Sequence, residues 1–290
     1  MRLLLILLLL ACLSACSLTP ILERPAAPVS ASYPMVANAA ASTLPASAVG
    51  WRAMFGDPRL QRLIELALSN NRDLRLATLN VQVAQAQAHI QHAARLPAVG
   101  LDGTRTRERT QSTDGSGQAR REVNKQTGVS VALSAFELDL FGRMRALSDA
   151  AFARYLASKQ GRDAAQVALV GAVAEAYFAQ RLADEQLQLT ERTLADWRQS
   201  LELARLLKQA EQSSSLDVAQ AEGQVALAEA DLEARRRALA QADNALQLLV
   251  GSELPGDLPA ALPLERQSVI AQLPAGLPAE LLLSRPDLRQ

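Results

Sequence analysis

The chain has 290 residues, 30 of them basic and 30 acidic, for a formal net charge of +0; that balance argues against the basic face an obligate nucleic-acid partner requires. Apolar residues make up 49 % and aromatics only 3 %, so the core is expected to be mostly Ala, Leu and Val, a composition that favours helix. Both cysteines, Cys12 and Cys16, sit near the start, which leaves the rest of the chain no thiol for a disulfide, a metal or nucleophilic catalysis.

The first residues read "MRLLLILLLLACLSACS". One cation, Arg2, precedes an apolar run from Leu3 to Ala11, too short to span a bilayer but suited to the centre of a secretory signal. Leu13-Ser14-Ala15-Cys16 resembles the bacterial lipobox. On that reading residues 1–15 are a lipoprotein signal peptide and the Cys16 thiol takes a diacylglycerol. Several acyl chains then hold the protein on outer-membrane lipid, where one chain alone is marginal. The alternative is an ordinary cleavage site that happens to contain a cysteine. Ser17 after the cysteine matches an outer-membrane address. Residues 16–56 are rich in Pro, Ala and Ser and read as an extended N-terminal tether.

"FGDPRLQRLIELALSNN" opens the folded body, with Asp57 as N-cap and Pro58 in the first helical position. Leu60, Leu63, Ile64, Ala67 and Leu68 form one apolar stripe. Asn70-Asn71 reads as a break. A second helix resumes near Asp73 and runs to about Leu96, where Pro97 stops it. His89 and His92 are the only imidazoles. Their glutamine neighbours are poor metal ligands, so a solvated polar face is the default and no metal is assigned.

After Pro97 the pattern changes. Leu101, Gly103, Arg105, Arg107 and Arg109 alternate with Asp102, Thr104, Thr106 and Glu108, as in a strand. "STDGSGQ" reads as a loop. In the next run Val129, Val131, Leu133 and Ala135 alternate with Ser130, Ala132 and Ser134, and at Phe136 the phase flips to Phe136, Leu138 and Leu140. A flip of this kind marks a bulge or a strand passing between environments. Glu137 and Asp139 would share one face there, as strand-end polarity or, less simply, as a catalytic pair. Each strand is long enough to cross a bilayer at a tilt. Two alone leave open edges, so crossing needs partner strands to close a barrel; an isolated soluble hairpin is the alternative. The charges of the first strand suit a barrel only where they face a watery lumen.

No proline occurs between Gly142 and Gly251. A helix from Arg143 to about Gln209 would be on the order of 100 Å long. Leu187, Leu194 and Leu201 recur every seven residues. So do Val218, Val225, Leu232, Leu239 and Leu246, with Ala221, Ala228 and Ala242 three positions on, interrupted by Arg235. A sustained seven-residue period predicts a left-handed supercoil. "KQAEQSSSLDV" between the two runs is a turn and a fresh start, with Ser214 or Ser215 as N-cap. The pair is expected to be a long antiparallel coiled-coil hairpin. No nucleophile elbow, Walker loop or metal-ligand spacing is present in the sequence, so neither an enzyme nor a cofactor is expected.

The lipobox, "WRAMFGDPRLQRLIELALSNNRDLRLA" (51–77), "FELDLFGR" (136–143), "ALVGAVAEAYF" (168–178), "SLDVAQAE" (215–222) and "SRPDLRQ" (284–290) together resemble the outer-membrane factors of tripartite efflux systems. The likeness is to the TolC-like, NodT-type lipoprotein branch, and these motifs stand in that family's order and spacing. The resemblance implies a homotrimer whose protomers each carry two repeats. Each repeat supplies two strands to an outer-membrane barrel and a long helical hairpin to a periplasmic tube. The fold class expected is therefore mainly α with a β-hairpin, half of a TolC-like protomer. Residues 57–265 would be the first repeat, and 266–290 a linker and the start of a second, since Asp287-Leu288-Arg289 echoes Asp73-Leu74-Arg75. On this expectation the chain stops after its first half.

The function implied is that of a passive export conduit in the outer membrane, extending into the periplasm, that docks a periplasmic adaptor and, through it, an inner-membrane pump. The family's docking tip corresponds here to Ala210, Glu211, Gln212, Ser213, Ser214, Ser215 and Leu216. Glu211 replaces the usual glycine, and a side chain resists a left-handed turn. The competing reading is a periplasmic adaptor lipoprotein. That would need Gly-rich lipoyl-like β segments on both sides of the hairpin, and only the strand pair on one side is seen.

Overall fold

The computed structural model describes residues 50–113, 115–133, 136–267, 269 and 284–289. Cys16, the expected signal and residues 16–49 of the expected tether lie outside that set, as does most of 266–290. The elements in order are α1 (Trp51–Met54), α2 (Pro58–Asn70), α3 (Arg72–Ala93), β1 (Val99–Thr113), β2 (Ala119–Leu133), α4 (Arg143–Gln209) and α5 (Ser215–Val250). A 3-10 turn (Leu264–Arg266) and a short α6 (Pro286–Arg289) follow. The described residues form two compact units, Gln82–Leu156 and the remainder.

In the larger unit α2 starts where the sequence indicates. Asp57 accepts from the Arg59 N–H at 2.8 Å and Pro58 occupies the first turn. The stripe Leu60, Leu63, Ile64 and Ala67 is wholly buried. It packs with Leu169, Val173 and Tyr177 of α4 and with Leu246 and Val250 of α5. Each fully buried Leu or Ile contributes about 1.5–3 kcal/mol. The last residues of the expected tether belong to this body, since 51–54 are helical. Phe55 is buried, its ring 6.5 Å from that of Phe178.

Asp57 does more than cap α2. The Tyr177 hydroxyl donates to its carboxylate at 2.6 Å and the Gln267 amide at 2.8 Å. Burial on its own would raise the Asp57 pKa. The donors from Tyr177, Gln267 and the backbone outweigh that effect and hold the carboxyl below its ordinary 3.8. Burial, and then the neighbouring carboxylate, push the Tyr177 hydroxyl well up. Asn71 fills the break between α2 and α3: its side chain accepts from the Leu74 N–H and donates to the Leu249 carbonyl, each at 2.9 Å. One residue thus caps the start of α3 and the end of α5. Gly251, just past α5, is left-handed at φ 76.

α4 is unbroken over 67 residues; Gly161 and Gly171 do not interrupt it. The heptad seam is observed. Leu194, Leu201, Val218, Leu232 and Leu246 are buried, and Ala221, Ala228 and Ala242 are half-buried. Arg235, the odd residue in the seam, is also half-buried and donates to Gln186 of α4 at 2.9 Å. Its stem covers apolar surface while its head finds a partner.

In the smaller unit β1 and β2 form one antiparallel ladder of 15 paired positions, from Val99 opposite Leu133 to Thr113 opposite Ala119. Apart from the half-buried Gly128, both faces are exposed throughout. Among the described residues the expected continuation of the second strand through the phase flip is not found. β2 ends at Leu133, and residues 136–142 are irregular. The reason lies opposite: β1 begins at Val99, just after Pro97, which has no N–H to offer a ladder. Glu137 and Asp139 therefore do not share a strand face. Glu137 pairs with Arg143. Asp139 accepts from the Arg145 N–H at 2.9 Å and caps α4 at its positive end. That backbone donor is the main reason the Asp139 carboxyl lies below its ordinary range.

Candidate functional site

The residues singled out as a docking tip, 210–216, form the turn between α4 and α5. α4 closes with a Schellman arrangement. The Glu211 N–H donates to the Lys208 carbonyl at 3.0 Å and the Gln212 N–H to the Leu207 carbonyl at 2.9 Å. Glu211 holds the left-handed position at φ 61, and among the described residues it is the one non-glycine with positive φ. The expectation that a side chain resists this turn is thus met by a glutamate that takes the strained conformation all the same. Both of its flanking donors are satisfied.

Of the two serines expected as N-cap, the structure selects Ser214. The Asp217 N–H donates to the Ser214 Oγ at 3.2 Å, and the Ser214 N–H donates back to the Asp217 carboxylate at 2.9 Å. This is a reciprocal capping box. The Ser214 and Ser213 hydroxyls also donate to the same carboxylate, at 2.9 Å and 2.8 Å. These bonds, first that from the Ser214 backbone, hold Asp217 below its ordinary pKa of 3.8. Asp217 was not among the expected tip residues, although it organises the turn. The signal was available in Ser214-x-x-Asp217, a capping-box spacing ahead of an apolar run. Leu216, between them, is 64 % exposed, so the tip presents an apolar side chain on a rigid polar turn.

Behind the tip the two helices are held in register by charge as well as by the seam. Arg205 reaches Glu222 at 3.0 Å, Arg198 reaches Glu229 at 2.7 Å, and Thr190 donates to Asp231 at 3.4 Å. The two arginine–glutamate pairs are exposed and add at most about 1 kcal/mol each, so their role is chiefly to choose the register. Outward-facing Leu203, Leu206 and Leu227 remain exposed.

His89 and His92 border an open groove of about 430 Å³ that also holds Arg95, Asp149 and Tyr155. Among the described residues no group of three or more His, Cys, Asp or Glu is placed to hold a metal. No helix among them is long and apolar enough to cross a membrane.

A family model described as outer membrane efflux protein matches residues 63–252. The probable efflux pump outer membrane protein TtgC of Pseudomonas putida is 38 % identical over 281 residues, covering 96 % of this chain and 58 % of the relative. The solvent efflux pump outer membrane protein SrpC of Pseudomonas putida is 42 % identical over 288 residues, covering 96 % and 59 %. Among solved structures, the open state of the Neisseria gonorrhoeae MtrE outer membrane channel superposes with a TM-score of 0.76 at 37 % identity. The match takes in 94 % of this chain and 60 % of that one. The chain thus spans less than two thirds of the length of these relatives.

Proposed function

The chain belongs to the outer membrane efflux protein family, and on that premise we propose that it forms part of the passive outer-membrane conduit of a tripartite efflux system. In this reading β1 and β2 pair with further strands in a barrel, and the α4–α5 hairpin lines a periplasmic tube in a homotrimer. The tip at 210–216, with Asp217, docks a periplasmic adaptor that leads to an inner-membrane pump. The carrying observation is the pairing in one chain of an exposed 15-residue ladder with a heptad hairpin closed by a rigid tip. A ladder bare on both sides has unpaired edges and needs partner strands in lipid. The channel neighbours support this reading over the adaptor alternative. The conduit does no chemistry of its own; the pump supplies the work.

The test is export in a bacterium that lacks its own outer-membrane efflux channel but keeps adaptor and pump. Resistance to an exported compound should return with this chain. It should fall again with the double substitution S214A/D217A, which removes the capping box and about 1 kcal/mol of helix stability. Adaptor capture by that variant is expected to drop roughly tenfold as the tip loses its fixed form. No export and no capture by the parent chain would remove the conduit reading.

The lipid anchor is a separate proposal. Cys16→Ser is expected to abolish metabolic labelling with palmitate while leaving the helical content unchanged by circular dichroism. Label that persists would place the acyl group elsewhere.

A further inference from the structure

The register of the ladder sorts its charges in a way the alternation of one strand does not reveal. Val99, Leu101 and Gly103 lie opposite Leu133, Val131 and Val129 on one face. The same face carries Arg105, Arg107, Arg109, Arg121 and Lys125 nearer the turn. It holds no carboxylate. The other face holds Asp102, Glu108 and Glu122 with Thr104, Thr106, Asn124, Gln126 and Ser130, and only Arg120 as a cation. Arg107 and Lys125 stand directly opposite each other, a like-charge pair that destabilises a bare ladder. Among the described residues none of the five cations of that face forms an ion pair.

We propose that this face meets the membrane: its apolar half lies against acyl chains and its five cations bind the phosphates of the lipid headgroups. The proposal rests on the barrel reading above. It reverses the expectation that the charges of β1 face a watery lumen, because the alternative placement is worse. Turning the cations inward turns Asp102, Glu108, Glu122 and two amides toward lipid, where ionised and amide groups lack partners. With the apolar half outward, the polar face lines the lumen. The depth of the cations then follows. Arg and Lys on the lipid face are costly at the midplane and nearly free at the interface, and their long stems let the heads rise toward it. Successive arginines on one face are about 7 Å apart along the strand, and Lys125 flanks Arg107 on the neighbouring strand. A cluster so dense calls for anions from outside the protein. A layer of phosphorylated lipid supplies them at the depth where the apolar half stops.

The test uses the full chain and flotation with vesicles of phosphatidylcholine alone or with about one third phosphatidylglycerol. Uptake by the anionic vesicles is expected to be at least about tenfold stronger, since each cation near such a surface adds several-fold. The preference should shrink at high salt, as exposed charge is screened. Replacing all five cations by Gln should abolish it. The variant D102N/E108Q/E122Q should keep it. Far-UV circular dichroism shows that each variant is folded, and the salt series on the parent chain needs no variant at all. Equal uptake by both vesicles, or an unchanged preference in the five-Gln variant, overturns the proposal and leaves the conduit reading in place. Failure of the parent to join either vesicle overturns both.

Discussion

Gly251→Ala should lower the stability of the larger unit by about 2–5 kcal/mol, read as a shift in the urea midpoint followed by circular dichroism in detergent. Two costs combine. The residue is left-handed at φ 76, where any side chain costs roughly 1–2 kcal/mol. A Cβ there would also lie 2.6 Å from the Asn70 carbonyl oxygen and 3.1 Å from the Asn71 Cα. Those neighbours are backbone and cannot rotate away, and overpacking of this kind costs about 1–3 kcal/mol more. The matched control is Gly223→Ala. Gly223 lies inside α5 with open space around it, so alanine should stabilise by roughly 0.5–1 kcal/mol through helix propensity alone. Two Gly→Ala changes near one helix should therefore move the midpoint in opposite directions. Equal shifts would mean that the close approach of α5 to the α2–α3 break is not held in solution.

The second large effect is expected at Asp57. Asp57→Ala removes the N-cap of α2, worth about 1 kcal/mol. It also removes the acceptor for Tyr177 and Gln267. Hydrogen bonds to a charged group contribute about 1.5–3 kcal/mol each, so with two of them and the cap lost a total of about 4 kcal/mol or more is expected. Tyr177→Phe should cost less, because the carboxylate keeps its other donors. The pH profile separates the charge from the packing. The folded-state pKa of Asp57 is depressed. Its contribution is therefore complete above the ordinary 3.8 and is lost as pH falls through the lower folded value. The parent should lose stability on acidification through that window. Asp57→Asn, which cannot titrate, should show a flatter profile there. Parallel profiles would remove Asp57 from the account of acid stability.

Much of this architecture is legible in the chain because it is built from local periods. Asp57-Pro58 marks the start of α2, the seven-residue spacing of Val218, Leu232 and Leu246 marks the seam, and the alternation after Pro97 marks β1. What escaped is of two kinds. Some features join residues far apart: Tyr177 and Gln267 reach Asp57 across 120 and 210 positions, and no local pattern encodes that meeting. Others turn on a competition that pattern alone does not decide. The apolar alternation past Leu133 suggests more strand, but its ladder partner β1 begins only at Val99, after Pro97, and the two carboxylates serve the start of α4 instead. At the tip the spacing of Ser214 and Asp217 was visible, yet the capping serine and the role of Asp217 depended on bonds within the turn.

The hairpin's contacts also imply an expected order of assembly. Arg205 and Glu222 are 17 positions apart, Arg198 and Glu229 31, and Asn71 and Leu249 178. Loop closure grows more costly with separation, so the hairpin is expected to zip from its turn toward its base, with the joint at Asn71 and Gly251 locking last. Changes at the turn should then slow folding, while changes at the joint mainly hasten unfolding.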